Sequence, residues 1–255
     1  MQQWHWPDVS PDVYIDPTCD LHGLSATALF YPCSGADLWT PITLFAPLVA
    51  QLHFADVGYF RAGHQNTRPF GLDTPVEEAA QIAAPNGQWS FAERKILPGI
   101  RGWRSEDAMA LHERYRLTDS GRSFDVIRSN AHCEDALDQL ERQLGVFFYR
   151  GDSLSEGGSG ILWNGFVLFE TILDRLVDGG LFVTDGSNPD ALARDGFAEA
   201  HPILSARYMK EDKGWRHMLG RTFRPYSGSL LTCVGFAGFR YGATLIWQLR
   251  RDTQH

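Results

Sequence analysis

The stretch from Ala28 to Asp56 constrains the fold of this chain more than any other. A short apolar run, Ala28-Leu29-Phe30-Tyr31, stops at Pro32-Cys33-Ser34-Gly35, which are small, turn-prone residues. Thr40-Pro41 then offers a helix N-cap followed by proline at the first helical position. Ile42, Phe45, Leu48 and Val49 follow at spacings that share one helical face. A second buried-strand run, Leu52 to Ala55, ends in Asp56. The pattern predicts a strand, a loop, a helix and a second strand tipped by a carboxylate. A helical crossover leaves its two strands parallel, and units of this kind bind ligands outside the carboxyl ends of those strands.

The rest of the chain extends that pattern. Residues 1–25 are rich in Pro, Asp and His and predict an irregular arm, with Trp4, Trp6 and Tyr14 as anchors. Cys19, Asp20 and His22 read as capping and turn residues rather than a metal cluster. Thr74-Pro75 opens a short predicted helix through Ile82, and residues 85–104 show no regular period. Leu111 to Thr118 and Ser123 to Arg128 flank Asp119-Ser120-Gly121 as a hairpin. Its second arm also qualifies as a third strand of the main sheet. A helix from Glu134 presents Leu137, Leu140 and Leu144. Val146 to Tyr149 is a continuous apolar run, as expected of a strand covered on both faces. Leu162, Phe166, Phe169, Ile172, Leu173 and Leu176 form a helical stripe that Gly179-Gly180 would stop. Leu181 to Thr184 is the next strand, and a polar helix-prone stretch spans about 189–210. Leu230 to Ala237 and Tyr241 to Leu249 lie too close in sequence for a parallel crossover, so they predict an antiparallel pair. The expectation is an α/β fold with a mostly parallel sheet closed by an antiparallel C-terminal pair.

At 255 residues, 44% hydrophobic and 21% charged, the chain is an ordinary globular sequence. A net charge of -8 disfavours non-specific attraction to nucleic acid or anionic lipid. Trp89, Arg94, Lys95, Arg101, Trp103 and Arg104 interleave aromatic and basic residues as single-strand binders do, but their setting in an acidic chain favours a solvated loop. The four cysteines carry no CxxC spacing, which points to a reduced, cytoplasmic setting without a structural metal. No signal peptide and no membrane-length apolar run is visible.

The order of these elements resembles the Rossmann-like class I S-adenosylmethionine-dependent methyltransferases, from about Ala28 to Leu249 with an insertion at 61–122. The resemblance implies one domain over 1–255, a Rossmann-like three-layer sandwich with the C-terminal antiparallel pair. It implies S-adenosylmethionine as cofactor, held by the loop Tyr31, Pro32, Cys33, Ser34, Gly35 and Asp37. Asp56 would receive the ribose hydroxyls, and Asn130 would border the adenine. The segment LDRLVDGGLFVTDG resembles the family's helix, Gly-Gly turn and next strand. No Asn/Asp-Pro-Pro-aromatic tetrad follows the fourth strand, so amino-directed methylation of nucleic acid is not supported. Asp152, in that position, would be the base or acceptor-orienting group, and a small-molecule acceptor is favoured over a macromolecule.

The residues themselves favour an adenosyl sulfonium over a dinucleotide. Pyrophosphate wants close backbone approach and a helix start free of negative charge. Here GxGxxG is missing and Asp37 stands just before the helix, where it would repel phosphate and pair with an ammonium. Plainer roles exist for each residue: Asp37 capping its loop, Asp56 and Asp152 closing turns, and Cys33 packing with no base nearby. Two other functions stay open. The loop Glu156 to Gly160 would hold a phosphorylated ligand or close as a lid, or the chain would be a non-catalytic interaction or sensing protein.

Overall fold

A computed structural model describes residues 13–60, 75–99, 109–152, 159–161, 163, 165–187, 214–225, 228–240 and 242–252. The chain divides into two compact units, Leu24–Gln143 with residues 1–4, and His5–Gly23 with Leu144–His255. A short strand, β1 (Val13–Ile15), belongs to the second unit.

In the first unit, β2 (Ala28–Pro32) leads through α1 (Trp39–Phe45) to β3 (Gln51–Ala55). Both strands are buried at every position; the β2 run is continuously apolar, while β3 also buries Gln51 and His53. They pair in parallel from Ala28 with Gln51 to Pro32 with Ala55. The helix starts after Leu38, so Thr40 and Pro41 lie inside its first turn and Thr40 is not the cap. Then come β4 (Trp89–Pro98), β5 (Met109–Leu117), β6 (Ser123–Asn130) and α2 (Cys133–Asp138). The strand order is β2-β3-β6-β5-β4. β6 lies parallel to β3, while β5 and β4 continue antiparallel.

The second unit adds β7 (Leu144–Tyr149), α3 (Phe166–Arg175), β8 (Leu176–Thr184), β9 (Thr222–Phe223), β10 (Ser229–Phe239) and β11 (Ala243–Arg251). Its strand order is β1-β10-β11-β8-β7, with β9 also paired to β10. β7 and β8 are parallel, joined by α3. Phe169, Ile172 and Leu173 of α3 are fully buried, and the Phe169 ring stands edge-on to Phe182 of β8, centroids 4.9 Å apart. β10 and β11 form the expected antiparallel pair.

The expectation of a helix-layered, mostly parallel Rossmann-like sandwich is overturned. Within the two units three strand pairs are parallel and six antiparallel. The described α-helices are only 7, 6 and 10 residues long. The fold is a mixed, mostly antiparallel sheet structure with few helices. The physical cause is the number of hairpin and edge strands, since each short connection imposes antiparallel pairing. Four local expectations change accordingly. Residues 76–78 form one 3-10 turn rather than a helix through Ile82, and the patternless 85–104 region contains the ten-residue β4. The helix from Glu134 ends at Asp138, leaving Leu144 and Gly145 to β7. The arm 1–25 contributes β1, while Trp4 and Trp6 lie outside the described residues, as does the stretch 189–210.

β1 docks where β10 has no side chain. A Cβ on Gly235 would stand 2.4 Å from the Tyr14 carbonyl oxygen and 3.2 Å from the Ile15 Cα, both backbone atoms that cannot rotate away. Tyr14 in turn packs at a tilt against Trp215, ring centres 5.8 Å apart, and Trp215 lies flat on Phe236 at 4.7 Å. Gly235→Ala should therefore cost about 1–3 kcal/mol through overpacking. A lowered urea midpoint is the expected result; an unchanged midpoint would show that β1 contributes nothing to stability.

Candidate functional site

The tips of β2 and β3 are tied together by the residues the sequence singles out. Cys33 and Gly35 both adopt left-handed backbone conformations, with φ of 54 and 51°, and fold the chain back over the strand ends. The Gly35 N–H donates to Asp56 Oδ2 at 2.9 Å, and the Gly58 N–H donates to Asp56 Oδ1 at 2.7 Å. Asp56 thus closes a turn and holds the facing loop at once. Tyr31 donates its hydroxyl to Asp37 Oδ2 at 3.0 Å, and Asp37 is 6% exposed.

Tyr59, which the sequence reading passed over, sits beneath this loop. Its hydroxyl donates to the Gly35 carbonyl at 2.6 Å and lies 2.7 Å from Ser34 Oγ. Burial, and after it the charge of Asp56, hold its phenol protonated far above the ordinary range. A signal was present in Gly58-Tyr59-Phe60, an aromatic pair directly after a strand-end turn. Cys133 was also missed. Its Sγ lies 3.5 Å from Cys33 Sγ, accepts the Cys33 N–H at 3.2 Å, and donates to the Ala55 carbonyl at 3.4 Å. A hundred residues separate the two thiols, so no local motif could have joined them.

Five of the loop's amides already have acceptors within the protein. Those of Cys33, Ser34, Gly35, Asp37 and Leu38 donate to Cys133 Sγ, Ala55 O, Asp56 Oδ2, Ser34 O and Ala36 O respectively. A phosphate cradle needs such donors turned outward. With two carboxylates alongside, this tip is unsuited to a phosphate and suited to hydroxyl donors and a cation. Asn130 ends β6, which aligns with β3 through Ser129 opposite Ala55, and the Asp56 N–H donates to Ser129 O. Tyr31, Pro32, Cys33, Ser34, Gly35, Asp37, Asp56 and Asn130 therefore all lie at the strand ends of one unit.

Asp152 belongs to the second unit, just past β7. Its Oδ2 accepts the Tyr149 hydroxyl at 3.0 Å, its Oδ1 accepts the Ser159 N–H at 2.9 Å, and Ser159 Oγ also donates to it. Next to it, Asp185 accepts the Gly151 N–H at 3.0 Å and the Ser187 N–H at 2.9 Å. Burial raises the Asp185 carboxyl above its ordinary value, against those hydrogen bonds. These carboxylates are staples for the loops after β7 and β8. Glu156 to Gly158 of the suggested lid or phosphate loop lie outside the described residues.

The described part of the aromatic–basic segment has partners within the first unit. Trp89 is 5% exposed and donates its indole N–H to the Ile82 carbonyl, Arg94 pairs with Glu113, and Lys95 pairs with Glu93 at 3.2 Å. Arg101, Trp103 and Arg104 lie outside the described residues. Asp20 accepts the His22 N–H at 3.1 Å as a turn residue does, and among the described residues no group of three or more His, Cys, Asp or Glu is arranged to hold a metal. Among them, too, no helix is long and apolar enough to cross a membrane. Compared with known proteins, the chain matches no family model, no curated protein and no solved structure.

Proposed function

We propose that the first unit binds S-adenosylmethionine at the β2 and β3 tips and that the chain transfers its methyl group to a small-molecule acceptor. The observation that carries this reading is the acidic, inward-bonded loop: Asp37 and Asp56 flank a turn in which the amides of Cys33, Ser34, Gly35, Asp37 and Leu38 already have acceptors. Asp56 retains lone pairs for a ribose diol, since each carboxylate oxygen accepts more than one hydrogen bond. Asp37 supplies charge for the ammonium of the methionine moiety. Methyl transfer itself needs alignment of nucleophile, methyl carbon and leaving sulfur, with a base where the acceptor carries a proton. Asp152, in the second unit, already accepts hydrogen bonds from Tyr149 and Ser159, so no base is assigned.

Isothermal titration of the full chain with S-adenosylmethionine, S-adenosylhomocysteine, NAD and ATP tests it. Heat with the two adenosyl ligands and none with the phosphorylated ones is the expected result; the reverse pattern ends the proposal. Asp56→Asn removes the charge while keeping an oxygen for one of the two loop amides. Charged hydrogen bonds contribute about 1.5–3 kcal/mol, so affinity for S-adenosylhomocysteine should fall by roughly ten- to a hundredfold. Unaltered affinity in a folded variant would remove Asp56 from the site. The internal bonding of Asp152 also favours a second reading, a non-catalytic adenosyl sensor. Binding without turnover across a broad set of acceptors would select it.

A further inference from the structure

We propose that Cys33 and Cys133 form a modification site, a dithiol that a small-molecule disulfide oxidises reversibly to an intramolecular cross-link. All four cysteines are free thiols, and these two have their sulfurs 3.5 Å apart. A disulfide bond is about 2.05 Å long, so the sulfurs need to close by only about 1.5 Å, within reach of side-chain rotation. The backbone already aims them. The left-handed φ of 54° at Cys33 turns its N–H onto Cys133 Sγ, and Cys133 opens α2. The two thiols also differ in access: Cys33 is partly exposed and Cys133 is buried.

That asymmetry orders the chemistry. The Cys33 thiol loses its proton to solvent, and its thiolate attacks one sulfur of the reagent disulfide. The reagent's S–S bond breaks and one reagent thiolate leaves. Cys133 then loses its proton and attacks Cys33 Sγ, expelling the second reagent thiolate. Two protein thiols and one reagent disulfide become one protein disulfide and two reagent thiols, so electrons balance without another oxidant. The hydrogen bond between the thiols, and then burial, keep Cys133 protonated well above the ordinary thiol range. Once Cys33 is capped, the Cys133 sulfur 3.5 Å away is placed to attack it in the second step. The cross-link would pull on a loop whose Gly35 is held by Asp56. If the proposed function holds, and this clause rests on it, oxidation changes affinity for S-adenosylhomocysteine.

The test is thiol mapping of the full chain after incubation with excess oxidised glutathione, quenching with an alkylating reagent and mass analysis. The expected product has lost two hydrogens, carries a Cys33–Cys133 linked peptide, and returns to four alkylatable thiols with dithiothreitol. In Cys133→Ser the first step should stop at glutathione attached to Cys33, and in Cys33→Ser Cys133 should stay unmodified. Glutathione held stably on Cys33 of the unaltered chain overturns the proposal, and so does modification confined to Cys19. Both readouts come from the unaltered protein, so they stand even if a variant fails to fold. No adenosyl ligand is used in the mapping, so failure of methyl transfer and failure of the thiol pair are separate results.

Discussion

Glu113→Gln should lower the stability of the first unit by about 3–5 kcal/mol, the usual cost of breaking a buried ion pair from one side. Glu113 sits on β5 with no exposed side-chain surface, between Arg94 on β4 and Arg128 on β6. Its Oε1 accepts Arg94 Nη2 at 2.6 Å and Arg94 Nε at 3.2 Å, and its Oε2 accepts Arg128 Nη2 at 2.8 Å. The strand register brings the three together. Arg94 lies directly opposite Glu113 across β4 and β5, and Arg128 is two residues beyond Val126, the partner of Glu113 on β6. Arg128 is completely buried and its guanidinium stands 5.8 Å from the centre of the Phe60 ring. Its Nη2 also reaches the Ala80 carbonyl at 3.0 Å, but its Nε and Nη1 have no hydrogen-bond partner among the described residues. The neutral amide would leave two cations facing each other with no counter-charge, one of them already short of acceptors. Urea unfolding measures the loss, and a change under about 1 kcal/mol would sink the argument. Adding Arg128→Met removes the worst-placed charge, so the double variant should be more stable than the two single losses added together.

β4, which ends this arrangement, shows where sequence reading stops. Its residues WSFAERKILP carry charges at Glu93, Arg94 and Lys95, and only Trp89 is buried. Among the described residues it pairs on one side alone, with β5, and charges on an edge strand discourage pairing with other chains. No apolar period is needed for such a strand, so none appears. By contrast the runs 28–31, 52–55, 146–149 and 181–184 were legible because burial on both faces demands largely apolar residues, with His53 and Thr184 the polar exceptions. The Gly179-Gly180 pair was legible but misread. It marks no helix stop, because β8 begins at Leu176. Between the pairs Leu144–Leu176 and Val146–Leu181 the register shifts, and the glycines occupy the bulge. A Cβ on Gly180 would meet the Val177 carbonyl at 2.7 Å and that of Gly145 at 3.1 Å, so the position requires glycine.

The candidate site was legible in a similar, partial way. Strand ends are found from the chain's own order, and that sufficed to single out Asp37 and Asp56. Tyr59 and Cys133 reach the same loop through side-chain contacts whose spacing in sequence, 25 and 100 residues, encodes nothing. The same holds for Asp185, which anchors the Gly151 amide across 34 residues.

Acidification should weaken the first unit before most carboxylates titrate, and His53 is the reason. It lies in β3, 5% exposed, with Nε2 2.8 Å from Ser129 Oγ and its ring edge-on to Phe30 at 5.7 Å. Burial pushes its pKa down from 6.5 to about 4. Above pH 6.5 both folded and unfolded chains hold it neutral, and its full contribution to stability is present. As pH falls through 6.5 the unfolded chain takes up a proton that the folded chain refuses. Stability therefore declines until about pH 4, where the folded form also protonates. The loss attached to this one group is about 3 kcal/mol, from a shift of roughly 2.5 units at 1.36 kcal/mol each. Asp125 overlaps only the acid end of this window, because the unfolded chain protonates it from about pH 5 downward. Burial would raise its carboxyl, but hydrogen bonds from His112 and Arg114 outweigh that and hold it at about 2. His53→Gln keeps a polar end for Ser129 and takes up no proton in this range. Urea midpoints measured across the window should fall more steeply for the unaltered protein than for the variant, and subtracting the two curves cancels every other titrating group they share. Parallel curves would mean that His53 is charged inside the fold, or reaches water there.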